Sequence, residues 1–291
     1  MRIRHSEIFG SFQGEAAYAG MPSVWLRLFG CNLECNGFGQ TNPTDPTTWK
    51  LPYTELDLSN YKRMEDLPVF EYGCDSSYSW SAKYKTLAYD RTEQEICDIL
   101  LKILSEEFSS DGHWAHPKTG QKVQLCFTGG EPMMQQKAMA AIFDELDKRN
   151  MRPYQITIET NGTKPLQEKF MAPIANGTNL HFACSPKLYN VSGEKDAVNI
   201  DNLMMYHGYS RTGLLKFVVN GTKEAWDELD GYVAEAKLKL PHWPIWIMPA
   251  GATKEQQEGP RVAEIAREGM KRGFLIATRN HCATFGNVLG S

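Results

Sequence analysis

The chain has 291 residues, 42% hydrophobic and 23% charged, a normal globular composition with enough length for a full core. Its formal net charge of −4 argues against a nucleic-acid footprint, and no apolar run approaches the ~20 residues that span a bilayer. Seven cysteines, an odd number, stand in a chain whose start, Met1-Arg-Ile-Arg-His-Ser-Glu7, has no apolar signal region; this argues against a disulfide framework and for a cytoplasmic location.

Residues 2–20 read as short and turn-rich, ending in Phe12-Gln13-Gly14-Glu15. The first predicted strand is 23–28, whose imperfect alternation suits a strand covered on both faces. Arg27 near its end is a charge among apolar residues. It is either a snorkelling surface cation or a fixed guanidinium that clamps a carboxylate. Cys31 and Cys35 follow, and after thirty-eight intervening residues comes Cys74-Asp75-Ser76. Residues 36–73, with Pro43, Pro46, Pro52 and Pro68 and no sustained period, read as an insertion. Its aromatic and Leu residues predict that it packs down onto the body of the chain, so the whole of 1–291 reads as one domain.

Thr92-Glu-Gln-Glu95 has capping-box form, and Ile96, Ile99, Leu100, Ile103 and Leu104 follow at helical spacing. A polar stretch at 109–122 carries His113 and His116, which read as solvated loop residues rather than metal ligands. Regular alternation then begins. Strands are predicted at 123–127, 154–159, 180–184, 214–219, 245–248 and 274–277. Helices are predicted at 136–149, 164–172, 197–206, 222–237 and 254–272, the last with Val262, Ile265, Ala266 and Met270 inward. Such alternation means a mostly parallel sheet with right-handed crossovers. Six or so strands are too few for an eight-fold closed barrel, so a partial α/β barrel is expected.

In parallel α/β folds functional residues gather beyond the carboxyl ends of the strands. Cys31 and Cys35 follow the first predicted strand, and Thr128-Gly129-Gly130-Glu131-Pro132 the next. Glu159-Thr-Asn-Gly162, Ser185-Pro186-Lys187 and Met248-Pro249-Ala-Gly251 sit in the same way after later strands. Gly129 and Gly130 let backbone approach a ligand closely. Three thiolates hold three irons of a four-iron cluster and leave the fourth open, which suits chemistry where four ligands would suit structure. Cys126 and Cys184 fall in predicted strands, Cys97 on a helix and Cys282 in the tail, all apart from that trio.

A three-Cys loop after the first strand with Gly-Gly-Glu-Pro after the second resembles the radical S-adenosylmethionine enzymes. Together with Phe12-Gln13-Gly14-Glu15, Arg27, Glu159-Thr-Asn-Gly162 and Ser185-Pro186-Lys187, most of the chain resembles the 7-carboxy-7-deazaguanine synthase family. The resemblance implies a lyase that contracts 6-carboxy-5,6,7,8-tetrahydropterin to 7-carboxy-7-deazaguanine with loss of ammonia, on the way to queuosine precursors. It implies a 4Fe-4S cluster on Cys31, Cys35 and Cys74, S-adenosylmethionine on the open iron, and Mg²⁺ on Ser76. Substrate contacts would fall to Phe12, Gln13, Gly14, Glu15, Arg27 and Thr128. S-adenosylmethionine contacts would fall to Gly73, Cys74, Asp75, Gly130, Ser185, Pro186, Lys187, Met248 and Pro249. An external electron donor and a homodimer are implied, without membrane or direct nucleic-acid partners. The chain end at Ser291 is near substrate by the same resemblance.

Two features depart from the family pattern. The superfamily spaces its cysteines Cys-x3-Cys-x2-Cys, whereas the last gap here is thirty-eight residues. Met248-Pro-Ala-Gly251 stands where Gln-Pro-Met is usual, which bears on the adenosine contacts. Two rival readings remain: another small radical enzyme such as a glycyl-radical activase, and a non-catalytic zinc module using the three cysteines with His113 or His116.

Overall fold

A computed structural model describes residues 1–210 and 212–290, so Ser291 lies outside the described residues. Among them is one nine-stranded sheet: β1 (Arg2–Phe12), β2 (Pro22–Leu28), β3 (Tyr89–Thr92), β4 (Gln124–Gly129), β5 (Gln155–Thr160), β6 (Asn179–Cys184), β7 (Thr212–Val219), β8 (Ile245–Pro249) and β9 (Leu275–Ile276). The spatial order is β3-β1-β2-β4-β5-β6-β7-β8-β9, with β3 and β9 as separate edges, so the sheet is curved α/β but open. From β2 onward all pairings are parallel; β1 runs antiparallel to both β2 and β3.

Side-chain alternation divides the sheet into two faces. Val24, Leu26, Leu28, Leu125, Phe127, Ile156, Ile158, Phe182, Phe217 and Ile247 join the main hydrophobic core beneath the helices. The opposite set is polar near the amino ends of the strands: Gln124 bonds Ser23 at 2.9 Å and accepts from Thr157 at 2.7 Å. At the carboxyl ends the same set supplies Arg27, Thr128, Glu159, Lys216 and Met248, and these line the cavities described below. Arg27 pairs with Thr128 in the parallel β2–β4 register, which brings the two motif-bearing ends level.

The helix Glu93–Glu106 begins as predicted: Thr92 Oγ1 accepts from the Glu95 amide at 3.2 Å and Glu95 accepts from the Thr92 amide at 2.7 Å. Helix Gln136–Lys148 buries Met139, Ile142, Phe143 and Leu146. Helices Glu168–Ala175, Ile200–Tyr209 and Lys223–Lys239 follow close to their expected places.

Several expectations are corrected. Residues 2–12 form an eleven-residue strand rather than turns, because β2 and β3 flank them on both sides. The sheet has nine strands where six or so were expected; β1 and β3 are additions, held by tertiary pairing. The helix expected over 254–272 is split into a short turn at Glu255–Gln257 and a helix at Pro260–Lys271. Gly259 has φ 92°, outside the helical region, and Pro260 starts the helix at its first position. Met270 is exposed, not inward; the buried stripe instead runs through Ile265 and Gly269, where a Cβ would lie 2.3 Å from Ile247.

The insertion does pack down. Tyr53, Met64, Leu67 and Phe70 form a second core with Tyr78 and Tyr84. Its ends are stitched together where the Gly73 amide donates to the Phe38 carbonyl at 2.8 Å.

Candidate active site

Beyond β2 the backbone turns at Gly30, whose φ of 117° requires glycine. Gly30 donates to the Ser79 carbonyl at 2.7 Å and accepts from the Glu131 amide at 2.8 Å, so three segments meet there. Cys31, Cys35 and Cys74 line one cavity of about 160 Å³, together with Gly130, Asn161, Ser185, Lys187 and Met248. The thirty-eight-residue gap is thereby spanned: the closed neck of the insertion returns Cys74 to its two companions.

Burial raises all three thiols, Cys31 to about 11 and Cys74 to about 12, with Cys35 well above its ordinary value. Metal binding would displace those protons. Among the described residues no three His, Cys, Asp or Glu side chains converge as one metal ion requires. Cys31, Cys35 and Cys74 nonetheless face one shared cavity, and three thiolates are ligands of the kind that iron–sulfur clusters take. His113 and His116 join no such group; His116 Nδ1 accepts from the Lys118 amide at 3.3 Å within its loop. Cys97, Cys126, Cys184 and Cys282 are buried elsewhere.

Gly130 packs so closely that a Cβ would lie 2.4 Å from the Gly30 carbonyl oxygen. Lys187 Nζ donates to Ser185 Oγ at 3.0 Å. Gly73 and Asp75 line an adjoining cavity of about 350 Å³ with Gly251, and Met248 lines both. Pro186 and Pro249 line neither.

A third cavity of about 140 Å³ contains Phe12, Gln13, Gly14, Glu15, Arg27 and Thr128. It shares Ser76, Thr128, Gly129 and Glu159 with the thiol cavity, so the two adjoin across these residues. Arg27 Nε donates to Glu7 at 2.5 Å, and the Tyr78 hydroxyl donates to the same oxygen at 3.0 Å. Burial opposes the Arg27 charge, but Tyr78 and Glu7 beside it keep the guanidinium protonated. Glu159 accepts from Gln13 at 3.3 Å and from Thr128 at 3.1 Å. Ser76 Oγ donates to Asp75 at 3.1 Å.

Glu15 is paired with Lys216 and with Arg279, the latter at 3.2 Å. Burial alone would raise its carboxyl; the two cations overcome this and hold it well below the ordinary range. Arg279 also meets Asp75 at 3.0 Å. Gly14 is tight: a Cβ there would lie 1.9 Å from His281 Nδ1. Sequence reasoning placed Glu159 in a strand-end motif without giving it a role, and it missed Glu7, Lys216, Arg279 and His281 as site residues. For Lys216 a signal existed: it is a charge inside an apolar strand.

An open, mostly parallel α/β sheet thus sets a three-thiol cavity beside a second, charged cavity. Known proteins narrow the likeness. The chain is 25% identical to the 7-carboxy-7-deazaguanine synthase of Halobacterium salinarum, over 97% of this chain and 90% of that one. It is 24% identical to that of Pyrobaculum aerophilum, over 99% and 97%, and 25% identical to that of Rhodospirillum rubrum, over 94% and 88%. The crystal structure of QueE from Escherichia coli has the same fold, with a TM-score of 0.54 at 18% identity and coverage of 97% and 95%. No family model matches the chain. The chain is thus similar, over nearly its whole length, to 7-carboxy-7-deazaguanine synthases. No helix of the described residues is long and apolar enough to cross a membrane.

Proposed function

We propose that the chain is a radical S-adenosylmethionine lyase that contracts 6-carboxy-5,6,7,8-tetrahydropterin to 7-carboxy-7-deazaguanine with loss of ammonia. The observation that carries this is the placing of two cavities side by side, one lined by Cys31, Cys35 and Cys74 and the other by Arg27, Thr128 and Glu159. Cys31, Cys35 and Cys74 would hold a 4Fe-4S cluster, which together with S-adenosylmethionine would supply radical chemistry for hydrogen abstraction from substrate.

The chain's own residues then bind, orient and shield. Arg27, already fixed on one side by Glu7, offers its remaining N–H groups to the substrate carboxylate. Glu159 stands between Gln13 and Thr128 as an acceptor for the N–H edge of a pterin. Phe12, Gly14 and Glu15 form the wall that His281 closes. The Ser76 oxygen, while donating to Asp75, keeps lone pairs for Mg²⁺, which binds few protein oxygens and retains water. Gly73, Cys74, Asp75, Gly130, Ser185, Lys187 and Met248 would hold S-adenosylmethionine in this reading, with Pro186 and Pro249, which line neither cavity, shaping the backbone beside them. A glycyl-radical activase acts on a protein and would have no use for the charged second cavity.

The reading includes a single catalytic unit over 1–291 with 36–73 as its insertion, an external electron donor, a homodimer, and a cytoplasm that keeps the thiols reduced. The test is anaerobic incubation of reconstituted protein with the carboxytetrahydropterin, S-adenosylmethionine, Mg²⁺ and a strong reductant. The expected product has the mass of 7-carboxy-7-deazaguanine; 5′-deoxyadenosine formed without it would overturn the substrate assignment.

A further inference from the structure

Glu194 grips the thiol loop from outside both cavities. Its Oε1 accepts from two successive amides, Glu34 N at 2.7 Å and Cys35 N at 2.5 Å. Cys35 has φ 53°, in the left-handed region, where a residue with a Cβ stays only if its surroundings impose it. The carboxylate is itself well placed. Gly193, with φ 77°, ends the helical turn Tyr189–Ser192, and a Cβ there would strike the Pro43 carbonyl oxygen and the Trp49 ring at 2.8 Å. Ser192 Oγ accepts from the Glu194 amide at 3.2 Å, and its carbonyl accepts from the Gly37 amide at 2.9 Å. Residues 192–194 therefore fix the backbone at Glu34, Cys35 and Gly37 together. Glu194 lines none of the three cavities above.

Amides beside a thiolate ligand commonly donate to cluster sulfur, and the potential of a cluster follows those bonds and the local charge. Here the Cys35 amide is turned to a carboxylate instead, and that carboxylate adds negative charge beside the ligand. We propose that Glu194 is a positioning residue that holds Cys35 in its left-handed conformation and biases the cluster toward a low reduction potential. The proposal rests on the cluster assigned above to Cys31, Cys35 and Cys74, and not on the identity of the pterin.

The full chain is tested as wild type, Glu194→Gln and Glu194→Ala. Three quantities are measured: amide hydrogen exchange at Glu34 and Cys35 in the metal-free protein, iron per chain after anaerobic reconstitution, and the midpoint potential. Glu194→Ala should speed exchange at both amides by roughly tenfold, as expected when a charge-assisted hydrogen bond is lost, and should retain less iron. Glu194→Gln keeps an acceptor oxygen, so exchange and iron should stay near wild type while the midpoint moves positive. Unchanged exchange in Glu194→Ala would overturn the clamp. A Glu194→Gln midpoint equal to wild type would overturn the electrostatic role. A wild-type chain that binds no iron would refute the cluster itself, while exchange would still decide the clamp; absence of ring-contracted product affects none of these readings.

Discussion

Arg27 spends one N–H on Glu7 and keeps the rest for a ligand. Arg27→Lys preserves the charge but not the fork, so substrate affinity should fall by about tenfold, consistent with losing one charge-assisted hydrogen bond; calorimetric titration with the carboxytetrahydropterin checks it. Cys74→Ala should abolish the iron–sulfur absorbance, read by visible spectroscopy of the reconstituted protein. Ser76→Ala should lower turnover and its Mg²⁺ dependence while S-adenosylmethionine binding holds. Glu15 gives a pH prediction. Its folded carboxyl titrates below the ordinary 4.5, so its pairing stabilises the fold above that value and the benefit is lost as pH falls through the lower folded range. Thermal melts of Glu15→Gln should therefore lie below wild type at neutral pH and converge with it in acid. Cys31, Cys74 and Arg27 were legible from motif and context. Glu159 was legible as the head of a strand-end motif, and Lys216 could have been read as a charge on an apolar strand. Glu7, Arg279 and His281 carried no local signal; they meet the site only because β1 and the last helical turn close over it.

Elements with strong local chemistry were read closely, and those made by tertiary pairing were not. The capping box at Thr92 marked its helix to the residue. Thr92→Ala should cost about 1 kcal/mol, seen as a lower urea midpoint with unchanged slope. In contrast, β1 carries Arg2, Arg4, Ser6 and Gly10 and shows little apolar period; its two neighbours supply the hydrogen bonds that make it a strand. The break at Gly259-Pro260 was present in the residues, since Pro starts helices more readily than it continues them. Helical spacing alone placed Met270 inward, but Gly269 lets the helix lie against Ile247 and turns Met270 to solvent.

At the scale of the molecule the described residues form two hydrophobic centres, one under the sheet's helices and one centred on the insertion. They divide labour: the first sets the strand ends level, the second carries Cys74. Phe70→Ala, which opens a cavity in the second, should cost about 3–5 kcal/mol locally. Hydrogen exchange should rise through residues 50–84 and stay protected in β4 to β7. The join at Phe38 and Gly73 has a wider consequence. Because loop closure entropy grows only slowly with length, exposed residues of the insertion outside its hydrophobic centre can be added or trimmed at small cost without shifting either flank. Relatives of this chain would then differ freely in the count between the counterparts of Cys35 and Cys74, and patterns written with fixed intervals would pass over chains that bring the same three thiols to one cavity.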